Sequence, residues 1–214
     1  MNTKVLRNMS YGVYLVTTVD GTRPTGCVAN SLMQITSTPT TVALSMNHDN
    51  YTNGCIKQSG LFGISILAED SDATLIGTFG FQSGKSIDKF ANLDYEVKKG
   101  VPIIPATNGY MVFKVIDSIE TSTHTVFIGE LLDAAITNGG TAMTYAYYHN
   151  VIKGKSPKNA PTYQPEDEKV EVKTEVYTCS VCGYVYDGSI PFEELSEDYQ
   201  CPICKQPKSA FKKS

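Results

Sequence analysis

The sequence contains the stretch Tyr177-Thr178-Cys179-Ser180-Val181-Cys182-Gly183 and, further on, Cys201-Pro202-Ile203-Cys204. Two Cys-x-x-Cys motifs in one short segment bring four thiolates around a single metal ion in a tetrahedral site. Backbone N–H groups in each turn can point back at the sulfurs and stabilise their charge. Thiolates are soft ligands that select zinc or iron, and the spacing suits a zinc ribbon as well as an iron site. The spacing therefore predicts a metal centre at Cys179, Cys182, Cys201 and Cys204 and leaves the metal open.

Aromatic residues cluster around these motifs. Together with Gly183, Gly188 and Pro202, the segment over residues 176–211 resembles a rubredoxin, a carrier with one iron bound by four cysteines. This resemblance implies a mononuclear Fe(Cys)4 centre in a domain spanning residues 176–214. The aromatic residues that carry it are Tyr177, Tyr184, Tyr186, Phe192, Tyr199 and Phe211.

The segment departs from the rubredoxin pattern at three points. Its loop between the motifs is short, Tyr199 stands where tryptophan is common, and Lys205 stands where glycine is usual. Glycine suits the positive φ of the turn after the second motif. We therefore expect the backbone at Lys205 to be strained or to lose one N–H···S contact.

Composition excludes several classes of function. The chain has 214 residues, a net charge of −4 and scattered lysines and arginines, so no basic patch indicates nucleic acid. No apolar run approaches the length of a membrane span. Nothing resembles a disulfide framework, which fits the reducing cytoplasm. A fold of about 150 residues can bury a core, whereas the cysteine-rich segment depends on its metal.

Residues 1–155 are predicted to form one mainly β domain, most simply a barrel. Predicted strands cover residues 11–19, 25–29, 41–46, 61–67, 110–120 and 125–135, with a hairpin turn at Asp20-Gly21. Helices are predicted over residues 50–59, ending at Gly60, and over 71–78, with a helical turn over 87–92. Residues 156–175 are rich in proline and charge, which predicts a flexible linker, although Val170-Glu171-Val172 could already join the sheet of the metal domain.

Four further motifs fall within the first domain. They are Gly12-Val13-Tyr14-Leu15-Val16-Thr17-Thr18, Gly26-Cys27-Val28-Ala29-Asn30-Ser31, Asn50-Tyr51-Thr52-Asn53-Gly54-Cys55-Ile56 and Asp88-Lys89-Phe90. Their order and spacing resemble the flavin reductase-like domains of the FMN-binding split-barrel type. This resemblance implies a homodimer of split β-barrels that holds FMN near the subunit interface. Joined to a rubredoxin segment, the whole chain resembles the high-molecular-weight rubredoxins of anaerobic bacteria.

The residue types in these motifs suit a flavin phosphate and ring. Amides, hydroxyls, a helix N-terminus and one lysine can bind an anion, although helix capping by Asn50 and Thr52 and turn formation by Asn30 and Ser31 explain the same residues. No catalytic dyad is recognisable, and Cys27 is equally consistent with a small buried side chain. The predicted cofactor-binding residues are Cys27, Asn30, Ser31, Thr36, Asn47, Asn50, Thr52, Lys89 and Phe90.

The resemblance implies an oxidoreductase that passes electrons from NAD(P)H, directly or through a reductase, to FMN and then to iron. It also implies an acceptor of the flavodiiron type, which reduces O2 or NO, and hence a part in oxidative or nitrosative stress. Two alternatives stay open. One is a free-flavin reductase, and the other is an FMN-binding module with a structural zinc ribbon.

Overall fold

Antiparallel strands dominate the computed structural model, which describes residues 3–152, 154, 160–163, 177–188, 190 and 192–213. The strands of the first domain are β1 (Tyr14–Asp20), β2 (Arg23–Ala29), β3 (Leu32–Ser37), β4 (Thr40–Asn47), β5 (Leu61–Ile66), β6 (Glu96–Lys98), β7 (Val101–Ile103), β8 (Gly109–Glu120) and β9 (His124–Ile136). Seven of them form one sheet in the order β2-β1-β5-β8-β9-β4-β3, and β6 pairs with β7.

The large sheet curls around a single apolar core. Val16 of β1, Cys27 of β2, Leu44 of β4 and Phe127 of β9 belong to one buried cluster. Since β2 and β4 lie near opposite ends of the strand order, they can share a core only if the sheet bends back on itself. This confirms the predicted mainly β barrel. Leu15 points to the other face, as the two-residue period of a strand requires, and joins a second core.

Among the described residues, three α-helices accompany the sheet, and local capping helps to set their ends. Helix α1 (Tyr51–Ser59) begins after Asn50 and ends at Gly60, which has φ 67° and donates its N–H to the Ile56 carbonyl. Helix α2 (Ala73–Phe81) begins after Asp72, whose carboxylate accepts the N–H of Thr74. These two helices confirm the predictions near 50–59 and 71–78. Helix α3 (Tyr145–Asn150) was not predicted from the sequence.

The cysteine-rich segment forms a small domain with its own aromatic core. Strands β10 (Tyr177–Cys179) and β11 (Phe211–Lys213) pair antiparallel. Phe192 lies at the centre of the aromatic residues, stacked on Tyr177 with ring centroids 4.2 Å apart and 4.9 Å from Phe211. The six aromatic residues singled out in the sequence all belong to this cluster.

Most predicted strands match observed ones, and β8 and β9 pair antiparallel from Glu120 and Thr125 outward. The hairpin at Asp20-Gly21 is present, with Asp20 opposite Arg23. Val170-Glu171-Val172 and most of the predicted linker lie outside the described residues, so the linker and the domain boundaries stay predictions. Within the described part of the chain, no helix is long and apolar enough to cross a membrane.

Candidate functional site

A cavity of about 360 Å³ opens between β2, β4, α1 and α2 of the first domain. That volume lies in the range of small-molecule and cofactor sites. Its apolar wall includes Val13, Met46, Ile76 and Phe79, and amide, hydroxyl and ammonium groups complete the lining. Six of the nine predicted cofactor-binding residues line it, namely Cys27, Asn30, Asn47, Asn50, Thr52 and Lys89.

Lys89 is the cation of this cavity. Its side chain is only 6% exposed, and Nζ donates to the carbonyl oxygens of Gly26 at 2.8 Å and Phe79 at 3.1 Å. Burial lowers the pKa of Lys89 to about 8. Within the described ranges, no carboxylate pairs with this ammonium group. A buried cation whose charge is not neutralised fits an anionic ligand.

Cys27 lies in the cavity wall close to Lys89. Burial raises the pKa of its thiol, although the charge of Lys89 and hydrogen bonds with Thr52 and Asn50 act in the opposite direction. The side chain is therefore a neutral thiol at neutral pH rather than a thiolate nucleophile.

The N-terminus of helix α1 forms the polar end of the cavity. Asn50 Oδ1 accepts the backbone N–H of Thr52 at 3.0 Å, so Asn50 caps the helix, as one of the two interpretations of the sequence predicted. Both residues also line the cavity, and Thr52 is 1% exposed. Capping and ligand binding are thus compatible here, because the first N–H groups of the helix carry partial positive charge.

Asn30 connects the cavity to a segment beyond the barrel. Its Nδ2 donates to Thr162 Oγ1 at 2.8 Å, and the Thr162 hydroxyl donates to the Tyr145 hydroxyl at 3.0 Å. Ser31 donates to Asn30 Oδ1 at 2.9 Å and thereby orients the amide. Residues 160–163 belong to the predicted linker, and Ala160 and Pro161 contribute directly to the cavity wall.

Three predicted residues, Ser31, Thr36 and Phe90, do not line the cavity. Thr36 is exposed on β3, where its hydroxyl contacts the Thr41 hydroxyl and the Pro39 carbonyl. Phe90 is buried behind the wall and packs edge-on against Phe79, with centroids 5.2 Å apart. Phe90 therefore supports a lining residue instead of being one.

Sequence reasoning missed several lining residues. Phe79, Gly80 and Phe81 come from the C-terminal half of α2, and Tyr145 and Tyr148 come from α3. Apolar and aromatic side chains of this kind give no local signal that separates a cavity wall from a core.

The four cysteines of the small domain meet in one cluster. Their sulfur atoms all lie within 4.8 Å of one another, with Cys179 Sγ 3.6 Å from Cys204 Sγ and Cys182 Sγ 3.5 Å from Cys201 Sγ. Metal–thiolate bonds of about 2.3 Å place tetrahedral sulfurs about 3.8 Å apart. The arrangement fits one metal ion bound by all four thiolates.

Backbone N–H groups support these sulfurs, as expected for Cys-x-x-Cys turns. Hydrogen bonding with Cys182, followed by the N–H groups of Cys204 and Ile203, lowers the pKa of Cys201 to about 5. The N–H of Tyr184 contacts the Cys182 sulfur, and the N–H of Gln206 contacts the Cys204 sulfur. Such contacts favour the thiolate form that binds metal.

Lys205 keeps the turn geometry of its counterpart Gly183. Their φ angles are 56° and 75°, and each N–H donates at 2.9 Å to the carbonyl of the cysteine four residues earlier. The N–H···S contact that was expected to be at risk is present at Gln206. The difference from the rubredoxin pattern is thus limited to a lysine in the left-handed backbone conformation, which lowers stability by about 1 kcal/mol relative to glycine.

The chemistry of both sites can be compared with the groups they would hold. The cavity combines a broad apolar wall with amide side chains, a helix N-terminus and a buried ammonium group. These groups fit a flat heteroaromatic ring that carries a phosphate. The four thiolates fit a single soft metal ion. The residues present therefore suit a flavin nucleotide and a tetrathiolate metal.

Comparison with known families assigns each part of the chain. Residues 6–156 match the flavin reductase like domain family, and residues 177–212 match the rubrerythrin, rubredoxin-like domain family. The chain is 41% identical over 226 residues to a high molecular weight rubredoxin of Moorella thermoacetica, covering 99% of both chains.

Two further relatives match the first domain. A ferric-chelate reductase (NAD(P)H) of Archaeoglobus fulgidus is 36% identical over 165 residues, covering 76% of this chain and 98% of that protein. Among solved structures, the NADH:FAD oxidoreductase of Streptomyces globisporus superposes with a TM-score of 0.59 at 24% identity, over 65% of this chain and 83% of the other. This likeness establishes the fold of the first domain.

Proposed function

The chain belongs to the high-molecular-weight rubredoxin family, and from this premise we propose that it carries electrons from a reduced nicotinamide through FMN to iron and on to an acceptor protein. It is a flavin-dependent oxidoreductase whose cofactors are FMN in the first domain and one mononuclear iron in the second. The supporting observation is that a flavin-sized cavity and a four-sulfur cluster lie in one chain with helix α2 between them.

Bound FMN would accept a hydride and release its electrons one at a time. The iron needs this because it changes by one electron between ferric and ferrous. The residues of the chain position that chemistry. Lys89 and the N-terminus of α1 attract the anionic parts of the cofactor, whereas Ile76 and Phe79 keep water from its ring. Asn30 and Asn47 provide amide groups at the cavity edge.

The electron donor is NAD(P)H, acting directly or through a separate reductase. The similarity to a protein named ferric-chelate reductase (NAD(P)H) supports direct use. As acceptor we propose a flavodiiron-type protein, on the basis of the family resemblance. The exposed carboxylates of Glu194, Glu197 and Asp198 precede Cys201 and would attract a basic partner surface. We place the protein in the cytoplasm because the thiolate centre requires reduced cysteines.

Absorption spectroscopy tests the proposal on the purified full chain. The expected spectrum shows flavin bands together with ferric–thiolate charge-transfer bands. Anaerobic addition of NADH or NADPH should bleach the flavin first and the ferric bands next. A protein that contains zinc and lacks both sets of bands would show the proposal to be wrong. Persistent ferric bands beside a bleached flavin would instead favour the free-flavin reductase.

The outer face of the barrel supports the proposed homodimer. Met33 on β3 and Ile119 on β8 are 64% and 57% exposed. Strand register places them on the same side of the sheet, opposite the inward-facing Leu44 and Phe127. Exposed apolar residues on a shared face favour burial against another surface. We propose a second copy of this chain as the occupant.

A further inference from the structure

Helix α2 separates the flavin cavity from the cysteine cluster. Its Ile76, Phe79 and Gly80 line the cavity, whereas Gly77 faces Cys204. A Cβ atom built on Gly77 would lie 2.5 Å from Cys204 Cβ and 2.9 Å from Cys204 Cα. The main chain of the helix is therefore in direct contact with a metal-binding turn, and any side chain larger than hydrogen would prevent this approach.

Apolar side chains extend the contact on both sides of Gly77. Phe81, at the end of α2, packs against the core of the first domain and against the core of the metal domain, and it also lines the cavity. Ile152 packs against the same two cores. Cys204 is only 9% exposed and Ile203 only 4%, so this turn is covered rather than open to solvent.

We propose that helix α2 is the docking surface for the rubredoxin-like domain, and that Gly77 is the positioning residue that lets the Cys204 ligand reach the wall of the flavin cavity. The inference rests on the proposed transfer of electrons from FMN to iron and names the surface through which this transfer takes place. Reoxidation of reduced FMN would release two electrons one at a time, each converting the ferric centre to ferrous, with the iron reoxidised by the acceptor between the two transfers and the flavin proton passing to solvent.

The test replaces Gly77 by alanine in the full chain loaded with FMN and iron. The matched control is Gly54→Ala, since Gly54 is also a helical glycine but has no atom within 4 Å of its Cβ position. Both changes raise helix propensity, and only Gly77→Ala obstructs docking. Flavin and iron content measured on each variant show that both domains are folded.

Small-angle X-ray scattering and anaerobic stopped-flow absorption provide the two readouts. Wild type and Gly54→Ala should scatter as docked chains, whereas Gly77→Ala should show a larger radius of gyration. Ferric bleaching after flavin reduction should be about tenfold slower in Gly77→Ala, which corresponds to about 1.4 kcal/mol of lost docking. Unchanged scattering together with an unchanged rate in Gly77→Ala would overturn the inference.

A second variant covers the case in which Gly77→Ala loses a cofactor. Ile152→Ser removes an apolar contact of the same interface, and Ile152 does not line the cavity. A larger radius of gyration in this variant supports docking, whereas an unchanged radius overturns it. Failure of the proposed function has a different signature. A wild type that scatters as a docked chain but never bleaches its iron refutes electron transfer alone. A wild type that bleaches its iron but scatters as separated domains refutes docking alone.

Discussion

Lys89 shows how one buried charge can determine which ligand a cavity accepts. Its ammonium donates to two backbone carbonyl oxygens, and no carboxylate in the described part of the chain pairs with it, so the charge stays uncompensated. An anionic flavin would supply the missing countercharge. We expect Lys89→Met to weaken FMN binding by roughly tenfold to a hundredfold, the range for a lost hydrogen bond to a charged group. Titration of the FMN-free protein with FMN, followed by flavin fluorescence, measures this change.

The pH dependence of FMN binding follows from the same side chain. The pKa of Lys89 is about 8 without ligand, and a bound anion raises it. Between about pH 7 and 8 the lysine is mostly protonated and the FMN phosphate is mostly doubly ionised, so the affinity should change little. As the pH rises above 8, binding must take up a proton, so affinity should fall. Lys85→Met, at an exposed position nearby, should keep this profile, whereas Lys89→Met should abolish it. A profile that persists in Lys89→Met would contradict the assignment.

Lys205 offers a second test on a single residue. Its φ of 56° lies in the left-handed region, where glycine has no steric cost. Lys205→Gly should therefore slow iron loss in denaturant by an amount that corresponds to about 1 kcal/mol. Ferric absorbance during guanidinium unfolding is the measurement. Gly183→Ala, at φ 75° in the equivalent turn, should change the rate in the opposite direction. Faster iron loss from Lys205→Gly would show that the lysine side chain stabilises the centre by other contacts.

At the level of secondary structure, helix α1 combines a structural and a binding role at its first turn. Asn50→Ala removes the cap and should cost about 1 kcal/mol of unfolding free energy. It should also weaken FMN binding, because the Asn50 side chain lines the cavity. Asp72→Ala removes the corresponding cap of α2. Unlike Asn50, Asp72 does not line the cavity. Thermal unfolding without FMN and FMN titration, run on both variants, separate the two roles. Equal loss of FMN affinity in both would assign Asn50 to capping alone.

Elements specified by local signals could be predicted from the sequence. Asn50 and Gly60 bound α1, and Asp20-Gly21 joins β1 to β2, because capping and turn formation depend on a few neighbouring residues. Strand β3 was missed, since its residues are mostly exposed and its pairing with β4 is interrupted by a bulge after Gln34. An exposed edge strand lacks the apolar alternation on which the prediction relies.

The residues of the two sites also divide into those with a local sequence signal and those without one. The clustering of the four cysteines was predicted because their spacing is itself the signal, and they do meet in one place. The lining of the cavity was predicted only where polar residues stood in a motif, as with Asn30 and Lys89. Phe79 and Phe90 are indistinguishable in sequence, yet one lines the cavity and the other supports it. That distinction depends on the packing of α2 against the sheet, which no local pattern encodes.

For the whole molecule, the contact between domains was beyond sequence reasoning. The composition of residues 156–175 predicts a flexible connection and says nothing about where the metal domain rests. Gly77 gave no signal for this contact either, because a glycine inside a helix indicates only low helix propensity. Its role becomes visible only when Cys204, more than a hundred residues later, is found against it. A flexible linker and a defined docking surface are compatible, since the linker sets the reach and the surface sets the preferred position.

The proposed dimer can be tested at the outer face of the barrel. Ile119→Glu places a charge among the exposed apolar residues and, in an interface, would bury it without a partner. We expect the dissociation constant of the dimer to rise by at least about a hundredfold, because an unpaired buried charge is costly. Sedimentation velocity should then give the single-chain mass of 23.3 kDa, against twice that mass for wild type. Val97→Glu on β6, where Val97 is 62% exposed, is the matched control and should remain dimeric. A dimeric Ile119→Glu would place the subunit contact elsewhere, and a monomeric wild type would refute the dimer itself.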